Sequence, residues 1–277
     1  MSHEEQVRTF YDSAGHCYQS IMGYTWHHGD PAAEAKGLSV LEACQLLEED
    51  IVRLSGLKPG GRALDFGSGV GGPTLYMAKI SSASFVGLSN NELLSQRARA
   101  RAAELGLSKA SFLTIGDEDY KTLLPFADAS FDAVTFYESV CHLPDKAAFF
   151  EAAYRILKPG ARLVGIDWLQ RPFRENKTEE QIMKFMQPVN ELICIPWHGT
   201  LEKYKSMIEA AGFTVTLARD LFDGQECWGS TPKEEQPQWH GYDGPEGERF
   251  RKGKVALDAA RGAGVFTVGM FAATKPG

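Results

Sequence analysis

Apolar positions along the chain follow two rhythms. From Pro31 to Leu54 the spacing is helical, with Leu38, Leu41, Leu46, Leu47, Ile51 and Leu54 on roughly one side. After the turn Leu57-Lys58-Pro59-Gly60-Gly61, short continuous apolar runs take over. Arg62 to Phe66, Ser84 to Leu88, Ser111 to Ile115, Phe131 to Phe136 and Arg162 to Ile166 each predict a strand. Helical stretches separate them. Pro73 opens one, where its missing N–H costs little. Asn90 or Asn91 caps the next, which carries Leu93, Leu94 and Ala98 and stops near Gly106. Ala147 to Leu157 is a third. Leu157-Lys158-Pro159-Gly160 matches the first turn, and both read as helix-to-strand connections. Strands alternating with helices imply crossovers and a mainly parallel α/β sheet, and strands as apolar as Phe85-Val86-Gly87-Leu88 imply cover on both faces.

Beyond Asp167 the alternation lapses. Residues 168–200 hold Trp168, Phe173, Met183, Phe185, Met186 and Trp197, too apolar and aromatic for a passive connection and suited to a lid or pocket wall. A helix over 201–211, a strand from Phe213 to Leu217, an irregular Gly-, Pro- and Trp-rich segment over 222–247, a helix over 248–261 and a strand from Val265 to Ala273 complete the chain.

Composition narrows the function classes. In 277 residues, 29 Lys and Arg against 36 Asp and Glu give a net charge of −7, which argues against a broad basic nucleic-acid face. A chain of this length buries roughly three quarters of its extended surface and needs no metal or disulfide staple. The cysteines, at 17, 44, 141, 194 and 227, form no CxxC and no cluster with metal-ligand spacing; free thiols in a reducing cytoplasm are expected. The polar start MSHEEQVRTFYDSAG has no apolar signal core, and no run reaches the roughly 18 apolar residues of a spanning helix, so a soluble intracellular protein is expected.

Four strand ends carry candidate chemistry. Asp65-Phe66-Gly67-Ser68-Gly69-Val70-Gly71-Gly72 is a glycine-rich strand-to-helix loop, either a structural turn or a cofactor cradle. Its G-x-G-x-G-G spacing departs from the dinucleotide fingerprint, which makes a nicotinamide oxidoreductase the weaker reading. Ser89-Asn90-Asn91 ends the next strand, where short polar groups can bond a ribose or simply cap a helix. Asp117-Glu118 ends the third strand and suits an adenine amino group, or is a solvated acidic loop. Tyr137-Glu138-Ser139-Val140-Cys141-His142 follows the fourth strand. There His142 is either a general base, oriented by Asp167 at the end of the fifth strand, or a packing histidine.

The order of these motifs, with an LKPG turn before the first and fifth strands, resembles the class I S-adenosylmethionine-dependent methyltransferases. The blocks GLKPGGRALDFGSGVGGP, GLSNNE, ESVCH and GVFTVGMFAATKP resemble the small-molecule branch, which includes sterol and tocopherol methyltransferases and natural-product enzymes. The similarity runs from about Val7 to Pro276.

The resemblance implies a Rossmann-like, mainly parallel seven-stranded sheet flanked by helices. It implies a helical N-terminal cap over 1–56, a cofactor-binding core over 57–167, a lid over 168–212 and a completion of the sheet over 213–277. S-adenosyl-L-methionine would be the cofactor, with S-adenosyl-L-homocysteine as product. Asp65, Gly67, Ser68 and Gly69 would line its methionine part. Ser89, Asn90 and Asn91 would reach the ribose, in a position where relatives often carry an acid. Asp117 and Glu118 would bracket the adenine. Tyr137, Glu138 and His142 would lie near the sulfonium, and Tyr11, Tyr18, Trp26 and His27 from the cap would close over it. Tyr11, Glu138, His142 and Asp167 are then the catalytic candidates. Trp26, Trp168, Phe173 and Trp197, with Trp228, are candidate walls for a small, largely apolar acceptor whose O, N or C atom is open. A cofactor-binding scaffold without methyl transfer, such as a pericyclase, is the rival.

Overall fold

The computed structural model describes residues 1–173, 177–225, 227, 241, 243 and 247–277. Its centre is a seven-stranded sheet of β1 (Arg62–Phe66), β2 (Ser84–Ser89), β3 (Ala110–Thr114), β4 (Phe131–Tyr137), β5 (Leu157–Gln170), β6 (Thr214–Asp220) and β7 (Phe266–Thr274). The order across the sheet is β3-β2-β1-β4-β5-β7-β6. The first five strands pair in parallel, and β7 runs antiparallel to both β5 and β6. This is the Rossmann-like arrangement expected from the class I methyltransferase resemblance.

The strands are apolar on both sides because both sides are covered. Ala63, Phe85, Ala133, Ile166 and Met270 face one core, together with Leu47 and Ile51 of α3 (Val40–Ser55) and Met77 of α4 (Gly72–Ser81). Leu64, Val86, Val134, Phe136 and Phe271 face the other, against Phe149 and Phe150 of α6 (Lys146–Ile156) and Tyr204 of α8 (Leu201–Ala210). The alternation along each strand is the period of two that a pleated strand imposes. On the β3 side, α5 (Glu92–Glu104) packs Ala98 and Ala102 on Phe112. Asn91 is its N-cap, accepting from the Leu94 N–H at 3.0 Å. Gly60 and Gly160, in the two LKPG turns, both take positive φ, 81° and 78°.

The N-terminal helices depart from the periodicity. Residues 31–54 form two helices, α2 (Pro31–Ala35) and α3, broken at Gly37, whose φ is +84°. Ser39 and Glu42 then start α3 with a reciprocal capping box, so the helix begins afresh on its own side-chain bonds. The buried face of α3 is Ala43, Cys44, Leu47, Glu48 and Ile51; Leu38, Leu41 and Leu46 are 37%, 53% and 39% exposed. Ahead of them α1 (His3–Met22) starts at a Ser2–Glu5 capping box. In the region read as a lid, β5 continues to Gln170, and α7 (Glu179–Ile193) precedes α8. Most of 222–247, Trp228 included, lies outside the described residues. Finally, α9 (Gly247–Gly262) leads into β7. No helix among the described residues is long and apolar enough to cross a membrane.

The two faces of α3 make a direct comparison. Leu47→Ala removes a side chain with no exposed surface and should destabilise by about 2–5 kcal/mol. Leu41→Ala should stay within about 0.5 kcal/mol. Denaturant melts of the two variants check this, and equal losses would contradict the assigned face.

Candidate functional site

Strand β1 has β2 on one side and β4 on the other, so crossovers leave its carboxyl end in opposite directions and open a crevice there. A cleft open to solvent, with a cavity volume of about 160 Å³, occupies that place.

The floor is the loop after β1. Gly67, Gly69 and Gly71 have φ of 76°, 50° and 83°. At Gly67 a Cβ would lie 2.1 Å from the Ser139 Cβ, so glycine is required for the loop to pass beneath the β4 loop. At Gly69 a Cβ would meet nothing within 4 Å, and Gly69 lines the cleft, so any side chain there would stand in the space of a ligand. Asp65 is turned inward. It accepts from Thr74 Oγ1 at 2.5 Å and Thr135 Oγ1 at 2.9 Å, and burial, opposed by those bonds, pushes its carboxyl up to about 6. It shapes the loop as well as lining the cleft.

Ser89, Asn90 and Asp117 line the far end of the cleft. Asn91 does not. Its side chain caps α5 and donates to Asp12 of α1 at 2.9 Å. Glu118 is exposed and ion-paired with Lys121. The Asp117 carboxylate pairs with Arg8 of α1, a residue the sequence reading passed over. Its signal was helical spacing. Arg8, Tyr11 and Asp12 stand at i, i+3 and i+4 and meet Asp117, His142 and Asn91 in turn.

The near end is aromatic and contains one carboxylate. Tyr11, Tyr18, Trp26, Tyr137 and Trp168 all line it. Glu138 takes a φ of 48°, an uncommon conformation for a residue with a side chain and one that clusters at functional sites. Its Oε1 accepts from the His28 backbone N–H at 2.9 Å and from His28 Nδ1 at 2.6 Å, and its Oε2 accepts from Trp168 Nε1 at 2.6 Å. Burial disfavours its charge, but His28 and these donors overcome it and hold the carboxyl below its usual range. His28 is neutral. Burial pushes it down to about 4, so Nδ1–H donates to Glu138 and Nε2 accepts from Arg261 of α9 at 3.2 Å.

His142 is also neutral, pushed by burial to about 4. Its Nδ1 is 3.0 Å from the Cys194 carbonyl, which can only accept, so Nδ1 carries the proton. Nε2 therefore accepts from the Tyr11 hydroxyl at 3.0 Å. Asp167 does not orient His142. Its oxygens accept from the Trp168 N–H and the Tyr204 hydroxyl, both at 2.9 Å, and it lies outside the cleft lining. Trp197 and Phe173 are not walls either. Trp197 donates to the Pro144 carbonyl at 3.0 Å, and Phe173 is 48% exposed. Asp167 is expected at a strand end, but β5 runs on through it to Gln170, and contacts from other elements set where these side chains face.

His27, which lines the cleft, is a buried cation. Nε2 lies 3.0 Å from Glu48 Oε1 and Nδ1 lies 2.7 Å from the His28 carbonyl, so both nitrogens donate. Burial opposes the charge, but Glu48 outweighs it and raises the imidazole above its ordinary value.

The "Methyltransferase domain" family matches residues 64–165. Cycloartenol-C-24-methyltransferase 1 of Oryza sativa subsp. japonica is 31% identical over 228 residues, 79% of this chain and 62% of that protein. The chain thus spans less than two thirds of that relative. Among solved structures, the mycolic acid cyclopropane synthase CmaA1, complexed with SAH and CTAB, superposes with a TM-score of 0.80 at 18% identity, covering 99% of each chain. The [4+2]-cyclase SpnF superposes with 0.76 at 21% identity, covering 99% of this chain and 97% of that one. At those identities the two structures establish the fold alone.

The His27–Glu48 pair predicts a pH dependence. A histidine raised on folding adds stability that is complete below its unfolded value of about 6.5 and is lost as pH rises through the folded value. Glu48→Gln should therefore destabilise more at pH 6 than at pH 9. Thermal melts of both proteins across that range check it; a difference independent of pH would remove the ion pair.

Proposed function

We propose that the chain is a class I S-adenosylmethionine-dependent methyltransferase that transfers a methyl group to a small, largely apolar metabolite. When bound, the cofactor supplies an electrophilic methyl group on a sulfonium. The observation that carries the reading is the open cradle at Gly69, at the switch point of the sheet, next to a tyrosine- and tryptophan-lined space.

The fit is good at each strand end. The loop 67–69 and Ser68 would take the methionine part, Ser89 and Asn90 the ribose, and Asp117 the adenine once Arg8 moves aside. At the other end the side chains must align an acceptor and exclude water. Tyr11, with its hydroxyl on His142 Nε2, would accept a proton from an acceptor O–H or N–H while passing its own to the imidazole. Glu138 and the surrounding rings would stabilise positive charge on an acceptor carbon or nitrogen. Residues 1–56 act as cap and 168–212 as lid in this reading. Natural-product or isoprenoid metabolism suits the apolar walls. A reducing cytoplasm suits Cys17, Cys44, Cys141, Cys194 and Cys227, all buried free thiols.

The non-transferring scaffold shares this fold, as the cyclase shows, but leaves the Tyr11–His142 pair without a task. Radiolabelled S-adenosylmethionine incubated with pools of sterols, prenylated quinols, phenols and tertiary amines separates the two readings. Label in an extractable product is expected; homocysteine-cofactor binding with no labelled product from any pool would favour the scaffold.

Two substitutions test the placement. Gly69→Val should weaken S-adenosylhomocysteine binding by about 10-fold or more, roughly 1.4 kcal/mol, by calorimetry. Unchanged affinity would move the cradle elsewhere. His142→Ala should lower turnover by about 100-fold and leave cofactor affinity within about threefold. Wild-type turnover would remove His142 from the reaction.

A further inference from the structure

The turn that carries His142 has three consecutive carbonyls, and each has a side-chain donor. The His142 carbonyl accepts from His3 Nε2 at 2.9 Å. The carbonyls on either side of it, Cys141 and Leu143, accept from one atom, Lys146 Nζ, at 2.9 and 2.8 Å. Lys146 sits in the first turn of α6 with no exposed surface, and its ammonium lies 4.0 Å from the centre of the Trp197 ring. Fully buried lysines are rare, and this one is satisfied by two carbonyls and an aromatic face. His142 and Leu143 line the cleft, whereas His3, Cys141, Lys146 and Trp197 do not.

We propose that Lys146 is a positioning residue for His142: one buried cation clamps the peptide carbonyls on both sides of the histidine and fixes where its imidazole stands. Two consequences follow from the geometry. The clamp sets the turn so that Nδ1–H reaches the Cys194 carbonyl and Nε2 reaches the Tyr11 hydroxyl. A positive charge held against the turn also disfavours a second proton on the imidazole, which keeps Nε2 an acceptor.

Asp167 and Trp197 gain a place in this arrangement. Asp167 is the buried acid whose field reaches Lys146, and the indole is its roof. Burial lowers Lys146 to about 8 and raises Asp167 to about 7. The groups that face Lys146 are Cys141 and His142 on the turn, Asp167 on β5, and Trp197 and His198 between α7 and α8. His142 is faced in addition by His3 and Tyr11 of α1 and by the Cys194 carbonyl. The catalytic meaning of the clamp rests on the methyl-transfer reading, but the clamp itself does not.

The test is an imidazole nitrogen NMR titration of the full chain, with His142 assigned by its loss in His142→Gln. In the wild type, His142 should protonate only near pH 4, with a second, smaller inflection near pH 8 as Lys146 loses its proton. Burial and His3 lower His142 more than Lys146 does, so Lys146→Met should raise the His142 midpoint by roughly half a unit or less, as one positive neighbour is gone. Its S-adenosylhomocysteine affinity should stay within about threefold. Lys146→Arg, which keeps the charge and donors and does not deprotonate, should leave the lower midpoint in place and abolish the inflection near pH 8. An unchanged midpoint in Lys146→Met overturns the proposal, and so does an upper inflection in Lys146→Arg as large as that of the wild type. If the methionine variant does not fold, the arginine variant decides. No arm requires methyl transfer, so a protein that methylates nothing but shows these shifts refutes the proposed function and keeps the clamp.

Discussion

Parallel strands can pair only if the chain crosses over between them, and here the crossovers part at β1. The route to β2 passes through α4 on one face, and the route onward from β4 passes through α6 on the other. No helix can fill the place where they separate. The carboxyl ends of β1, β2 and β4 therefore stay open, and the loops that begin there form the floor of the cleft, while α1 and the segment after it form the wall across it. The left-handed glycines of the first loop follow from the same constraint. A chain that must turn under Ser139 at a Cβ distance of 2.1 Å has room for no side chain.

Charge within the cleft is arranged in two layers. The inner layer touches ligand space. It includes the Asp65, Asp117 and Glu138 carboxyls, neutral His142 with Tyr11, and cationic His27. The outer layer fixes those states. Arg261 holds His28 in the tautomer that donates to Glu138, Glu48 keeps His27 protonated, and the Cys194 carbonyl determines which nitrogen of His142 is free. In a low-dielectric space such partners decide protonation more strongly than solution pH does, since an unpaired buried charge is costly.

The sheet was legible because its signals are local. Continuous apolar runs between turns marked β1 to β5 within a residue or two at most ends, apart from the longer β5. The glycine loop, Ser89, Asp117 and Glu138 follow from being the next residues after those strands. What stayed hidden was direction. Leu38, Leu41 and Leu46 look like a buried stripe, but a glycine break resets the helix and turns them outward. Asp167 and Trp197 face Lys146, a residue that reads in sequence as ordinary helix surface, and not the cleft. Contacts between α1, α6 and residues past β5 are separated by as many as 239 positions, and no periodicity encodes them.

One wall of the cleft differs in kind from the others. The floor is sheet, held by backbone ladders, whereas α1 is fastened across the mouth by side-chain contacts alone: bonds from Arg8, Tyr11, Asp12 and His3, and the packing of Val7, Phe10, Ala14 and Cys17. A wall fastened in this way can detach while the strands stay paired. Exchange of ligand with solvent is then a local opening with its own free energy, far below that of unfolding, and the residence time of a bound molecule reflects how long the helix stays fastened rather than how stable the domain is.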